Sequence, residues 1–312
     1  MTIEDFTECV ASQILDYLPD KFGEANVTTY STIKNSKRVH GLCIRLEGQC
    51  VAPVFYMENY YHENIEVITD ELLFELAADI IPFYDDYFEE GCFSEVEKQI
   101  VDFNVDNFEE IKQYLKPILV NRNNYSELLT SFNYRVINDM AVLVIIDIPT
   151  EKFKYGPCCI KVSKDFEKLW NKSFFEIYEA AISNVSNEDF VLRDLGRRLM
   201  GKKEINYLEK DMIRSKKSLF ELTGSDMVYG ASAIINNKVM SKVCDLFPEG
   251  FYIIPSSIHE CLIVSMKAAD SPYFLRKQLV SINNDGSLIS SDDILSYDIY
   301  TYEQEYEELV VV

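Results

Sequence analysis

From Met140 to Ile148 the chain runs for nine residues with one charge, Asp147, and is otherwise apolar. A membrane-spanning helix needs about twice that length. A strand covered on both faces has this size and this β-branched character, so the run predicts a central strand with Cys158 to Val162 as its neighbour. Around it the hydrophobic period keeps changing. Phe6, Val10, Ile14 and Leu18 share one helical face, which begins at Thr2, placed to cap reciprocally with Asp5, and ends at Pro19. Asn26–Ile33, His40–Leu46 and Val51–Tyr56 then predict three strands, a meander covered by that helix. From Ile65 the spacing becomes four residues, through Ile68, Leu72, Leu76, Ile80, Tyr84 and Phe88, which predicts an amphipathic helix kinked near Pro82.

Short helices are expected at Ser94–Phe103 and Asn107–Leu115, and Pro117 marks the expected boundary between domains at 1–116 and 117–312. Past it the pattern predicts strands at Ile118–Asn121, Asp226–Ile235, Phe251–Ile254, Glu260–Met266 and Ile299–Tyr302. Helices are expected at Asn124–Leu129, Lys164–Trp170, Ser173–Ile182, Lys238–Leu246 and Ser271–Val280. The fold class is therefore α+β: a small helix-covered antiparallel meander, an acidic helical segment and a larger mixed α+β domain. No strand feeds a glycine-rich phosphate loop, which argues against a doubly wound nucleotide fold.

Charge is concentrated. Between Glu58 and Lys112 stand 17 Asp and Glu against two Lys, a local net of −15 in a chain of net −22. The 20 Tyr and 19 Phe give the chain ample material to bury, so it reads as folded despite that charge. A strongly negative surface repels phosphates and draws in basic surfaces. Direct nucleic-acid binding is thus disfavoured and a basic protein partner favoured, with Tyr60, Tyr61, Tyr84, Asp85, Asp86, Tyr87, Glu89 and Glu90 as the contact set. Those carboxylates lack the residue order of an EF-hand loop, and a solvated helix face accounts for them better than a cation site.

Eight dispersed cysteines with no CxxC, and three histidines with no HExxH, suggest free thiols in a reducing cytosol, with no metal and no cofactor. The N-terminus lacks a signal peptide's basic region and apolar run, so the expected location is cytoplasmic, away from membranes.

The densest polar functionality is Pro255-Ser256-Ser257-Ile258-His259-Glu260-Cys261. Serine, histidine and carboxylate are the parts of a hydrolytic site, but residues 259 and 260 of a strand face opposite ways and no GxSxG elbow is present. Ser257 and His259 could share a face. Arg122, in Asn121-Arg122-Asn123-Asn124, could clamp a carboxylate or phosphate, or simply extend from an Asx-type turn. Asp139 could ligate a metal or close a strand-entry turn. Residues 193–217 hold nine Lys and Arg against four Asp and Glu, a net of +5. They fit a phosphate site, a docking face for the acidic segment within or between copies, or plain solvation. The C-terminal Tyr302–Val312 alternates acids with aromatics before ending apolar, as an edge strand or a self-associating tail would.

Asn121-Arg122, Asn138-Asp139-Met140-Ala141-Val142, Tyr229-Gly230-Ala231, Tyr252 to Glu260 and Asp292-Asp293-Ile294-Leu295-Ser296 together resemble the DUF5688 family, over most of the chain. The resemblance implies a bacterial, intracellular protein and carries no activity with it. Two functional readings stay open. One is a non-enzymatic module steering a basic partner through the acidic segment. The other is a small-molecule hydrolase or transferase with a cleft near His259, served by Ser257, Glu260, Asp139 and Arg122. Convergence of these residues on one concavity separates the two.

Overall fold

Thr2 opens the first helix as expected: its hydroxyl accepts the N–H of Asp5, and α1 (Ile3–Gln13) follows with Phe6 and Val10 buried. The computed structural model describes residues 1–34, 37–47, 52–89, 104–148, 158–185, 189–213, 218–285 and 287–312. The chain divides into two units, Met1–Asn104 and Val105–Val312.

In the smaller unit β1 (Asn26–Lys34), β2 (Lys37–Arg45) and β3 (Val54–Tyr56) form an antiparallel meander with β2 central. Gly41 lies in β2 opposite Tyr30 and Tyr56, where a Cβ would land on Val54. α2 (Asp70–Glu89) runs through Pro82, which occupies an exposed position beside exposed Ala78, so the carbonyl that loses its donor can turn to water. Leu76, Ile80 and Tyr84 recur at four-residue spacing and are fully buried with Phe6, Val10, Ile14, Leu42 and Ile44. The helix expected at Ser94–Phe103 lies outside the described residues.

The larger unit is built on two antiparallel sheets. In one, β6 (Met140–Ile148) is central, with β4 (Leu115–Asn121) on one side and β5 (Arg135–Ile137) and β7 (Cys158–Lys161) on the other. Met140 to Ile146 are buried without interruption, as a strand covered on both faces requires. Pro117 sits inside β4, opposite Val144, rather than between domains. A proline is tolerated there because β4 is an edge strand, with no ladder partner on its other side among the described residues. The preceding helix is correspondingly short, α3 (Phe108–Ile111), capped by Asn107.

The second sheet has the order β13 (Glu308–Val311), β12 (Tyr300–Glu303), β10 (Phe251–Ile254), β11 (Glu260–Ser265), β9 (Phe220–Gly224), β8 (Phe190–Asp194). The C-terminal segment thus forms a hairpin and an edge strand. Helices α4 (Lys164–Trp170), α5 (Phe174–Asn184), α6 (Leu195–Leu199), α7 (Asn237–Leu246) and α8 (Pro272–Asn283) complete the unit. α5 begins with a full capping box between Ser173 and Glu176. The fold is α+β. Among the described residues, no helix is long and apolar enough to cross a membrane.

Two expectations fail in instructive ways. Asp226–Ile235 is not a strand: Met227 and Tyr229 take positive φ, and Gly230–Ile235 winds into a 3-10 helix. A Cβ on Gly230 would land on the Gly224 amide, so the two backbones meet directly and no ladder can form through that point. Nor does Asn124 cap a helix to Leu129. Asn121 Oδ1 instead accepts the N–H groups of Asn123 and Asn124 (3.0 Å each), and only a 3-10 turn, Leu128–Ser131, follows.

Candidate functional site

The loop from Asp292 to Tyr300 gathers segments from across the larger unit. Asn121 Nδ2 donates to the Leu295 carbonyl (3.1 Å), and the Ile258 N–H donates to that of Asp293 (2.8 Å). Asp139 follows Asn138, whose φ of 52° makes the tight β5–β6 turn. Its carboxylate accepts the Ser296 hydroxyl (2.8 Å), the Tyr297 N–H (3.1 Å) and the Tyr300 hydroxyl. These bonds clip the turn to the start of β12 and use the carboxylate's lone pairs structurally.

His259 Nδ1 accepts the Tyr229 N–H (3.2 Å) and its ring stacks on Tyr229 at 5.8 Å, which leaves Nε2 facing Asp293 Oδ1 at 3.6 Å. The Ser257 hydroxyl accepts the His259 N–H (3.1 Å), closing the turn. Among the described residues, neither ring nitrogen bonds a serine hydroxyl. Glu260 points the other way, as strand alternation dictates, where its Oε1 accepts the Ser256 hydroxyl (3.2 Å). The Arg122 guanidinium is half-buried with no hydrogen-bond partner among the described residues, while its backbone N–H donates to Asp139 (2.8 Å). The five candidates therefore divide among separate hydrogen-bonding arrangements.

A second cluster went unseen in the sequence. On one face of the six-stranded sheet, Arg193 of β8 stands directly opposite Glu221 of β9, and Glu260 of β11 lies diagonally beyond. Arg193 and Arg198 each reach a Glu221 oxygen at 2.5 Å, and Arg193 also meets Glu204 at 2.9 Å. Two charges of the basic 193–217 stretch are thus spent inside the fold. Burial first, and then the hydrogen bond and charge of Glu221, push Glu260 up to about 7. Burial acts to raise Glu221 too, but the Glu260 hydrogen bond and both arginines prevail and hold it below the usual carboxylate range. The Glu260 carboxyl therefore keeps its proton well above ordinary glutamate pH and donates it to Glu221.

Between the ends of the two sheets lies a cavity of about 70 Å³. Lys116, Ile145, Asp147 and Cys159 line it from one face of the four-stranded sheet; Asp189, Phe190, Asp226 and Tyr229 line it opposite. Lys116 Nζ pairs with Asp147 at 2.6 Å. Burial would lower that ammonium, but Asp147, with Asp226 and Asp189 behind it, holds it above the usual lysine range. Burial also raises the Cys159 thiol, which contacts the Tyr229 hydroxyl and is no ready nucleophile.

In the smaller unit the expected contact set is sorted by the fold. Tyr84 is no partner anchor: it is fully buried and its hydroxyl donates to the Ile44 carbonyl. The four-residue recurrence that made it a core residue excludes it from the surface. Tyr60 and Tyr61 are half-buried, bonded to Asp79 (2.5 Å) and the Met1 carbonyl (2.8 Å). Asp85 pairs with Lys21. The side chains of Asp86, Tyr87 and Glu89, and all of Glu90, lie outside the described residues. Exposed instead are Glu71 and Glu75, one helical turn apart on α2, without an ion-pair partner among the described residues. Phe74 lies between them, 62% exposed, and Val67, just before the helix, is 73% exposed.

Among the described residues, no three His, Cys, Asp or Glu side chains are grouped to hold a metal ion. Cys9, Cys43, Cys159, Cys244 and Cys261 are free thiols. The model of DUF5688, a family of unknown function, matches residues 3–304. No curated protein and no solved structure matches the chain.

Proposed function

The chain belongs to the DUF5688 family, which brings no inherited activity, and from its own surface we propose that it is a cytoplasmic, non-enzymatic docking module for a basic protein. The outward face of α2 is the contact. One observation carries the reading: Glu71 and Glu75 stand exposed around an exposed Phe74, with no ion-pair partner among the described residues. Carboxylates on a helix face steer a cationic surface over about a Debye length, roughly 10 Å at 0.1 M salt, and an exposed ring gives the arriving surface an apolar anchor. The hydrolase alternative has less behind it. Among the described residues the His259 ring bonds no serine hydroxyl, Asp139 is occupied by Ser296, Tyr297 and Tyr300, and Glu260 faces away from His259.

The test is a titration with a defined Lys- and Arg-rich amphipathic peptide, followed by fluorescence anisotropy at low and high salt. Binding is expected at low salt and lost at high salt. It should weaken in E71K/E75K and in F74A, and stay unchanged in the surface control Glu305→Lys. Salt-independent binding, or equal loss in the control, sinks the proposal.

A further inference from the structure

Helix α6 is built inside out. Asp194 caps it by accepting the Arg197 N–H at 3.0 Å, and Arg198 turns inward to a Glu221 oxygen at 2.5 Å. With its charged side committed to the fold, the helix leaves its apolar side to solvent, where Leu199 is 79% and Met200 71% exposed. Gly201, at φ +64°, then turns the chain. The Arg197 guanidinium donates to the Lys203 carbonyl at 3.3 Å, which pins the following residues beside the helix end. Lys202 and Lys203 are exposed there, and neither ammonium has an ion-pair partner among the described residues. The outcome is an apolar tip edged by two positive charges. It is the chemical complement of the α2 face, where Glu71 and Glu75 flank Phe74 and Val67 precedes the helix.

We propose, resting on the docking reading above, that the basic partner of the α2 face is a second copy of this chain. Its Leu199 and Met200 seat against Phe74 and Val67, and its Lys202 and Lys203 stand opposite Glu71 and Glu75. Covering the apolar side chains drives the contact, and the facing charges orient it. Each copy offers one acidic face and one basic tip, two different patches, so the pairing is heterologous and either closes into a ring or continues as a chain. The net charge of −22 repels other copies at a distance. At 0.1 M salt that repulsion is screened beyond roughly 10 Å, while charges in contact still attract. An anionic bilayer fits less well, because polybasic membrane sites use about 4–8 Lys and Arg to do what two lysines must do here against that net charge. A handful of side chains on each side falls well short of the roughly 20–30 of a stable complex, so the association is weak and rises with concentration.

Sedimentation velocity over a rising concentration series tests this. At about 0.1 M salt the wild type should pass from monomer to heavier species, and at about 1 M salt it should stay monomeric. K202E/K203E and E71K/E75K should each raise the dissociation constant about tenfold or more. Mixed one to one, the two variants should assemble again, because every lysine pair then meets a glutamate pair. Both variants remain strongly negative overall, so neither bulk attraction nor damage to the fold can imitate that recovery. A mixture that stays monomeric overturns the proposal, and so does a monomer that pellets instead with phosphatidylserine vesicles. The basic-peptide titration, run at concentrations where the wild type is monomeric, separates this partner from the docking reading itself. There K202E/K203E should bind the peptide as the wild type does. A chain that binds the peptide yet never self-associates at 0.1 M salt overturns the second-copy assignment alone; a chain that binds no basic peptide overturns the docking reading and the assignment with it.

Discussion

Replacing Glu260 with glutamine should make the protein more stable at pH 8 and leave it nearly unchanged at pH 5. In the folded chain Glu260 holds its proton up to about 7, against an ordinary value of 4.5. Its folded pKa is thus raised, so its contribution is fully present below 4.5 and is lost as pH rises from there through 7. At 1.36 kcal/mol for each pH unit between the two states, the full loss is about 3 kcal/mol. Water reaches this half-buried side chain and reduces that to about 2 kcal/mol. Glu221 is shifted the opposite way and titrates below its ordinary range, so it does not act in the same pH window. Glutamine keeps a donor toward Glu221 and has no proton to lose. Urea unfolding of both proteins at pH 5 and pH 8 measures the effect. The variant should gain about 2 kcal/mol at pH 8 and differ by less than about 1 kcal/mol at pH 5. An equal change at both pH values, or a loss at pH 8, refutes the shared-proton account of the Glu221–Glu260 contact.

Four further substitutions test other links between packing and stability. Tyr84→Phe should cost about 1–2 kcal/mol in denaturant unfolding, since the buried Ile44 carbonyl loses its donor; basic-peptide binding should not change, and a binding loss would return Tyr84 to the surface. Asp139→Ala strips the acceptor from Ser296, Tyr297 and Tyr300 and should cost about 3 kcal/mol or more; a cost under about 1 kcal/mol would mean the clip is not structural. Gly230→Ala forces a methyl onto the Gly224 backbone and should abolish folding or cost about 3 kcal/mol. Gly201→Ala, at φ +64 with nothing within 4 Å, should cost only the roughly 1–2 kcal/mol of left-handed strain, so thermal melts of the pair separate crowding from strain.

Periodicity made much of the framework legible. Phe6, Val10 and Ile14, the alternating runs of the meander, and the β-branched run at Met140 each declare a face without reference to anything distant. β5, only three residues long, escaped, and so did β8 and β9, which carry Arg193 and Glu221 in their interiors. Charges read one at a time look solvent-bound; these two are opposite each other across the ladder, 28 residues apart, and cancel. Pro117 misled for a related reason, because proline breaks an inner strand but is harmless on an open edge, and edge position is a property of the sheet.

Amino-acid order alone settled that this chain would be an α+β protein with an acidic helical surface, because burial patterns and net charge follow from nearest neighbours along the chain. Only the tertiary structure decided which polar groups meet. It divided His259, Asp139 and Glu260 among different partners, withdrew Tyr84 into the core, joined Glu260 to Glu221, and lined the Lys116 cavity from both sheets. The physical reason is range: a repeating pattern determines where a side chain points within its own element, while hydrogen bonds and ion pairs depend on what other elements bring to that place.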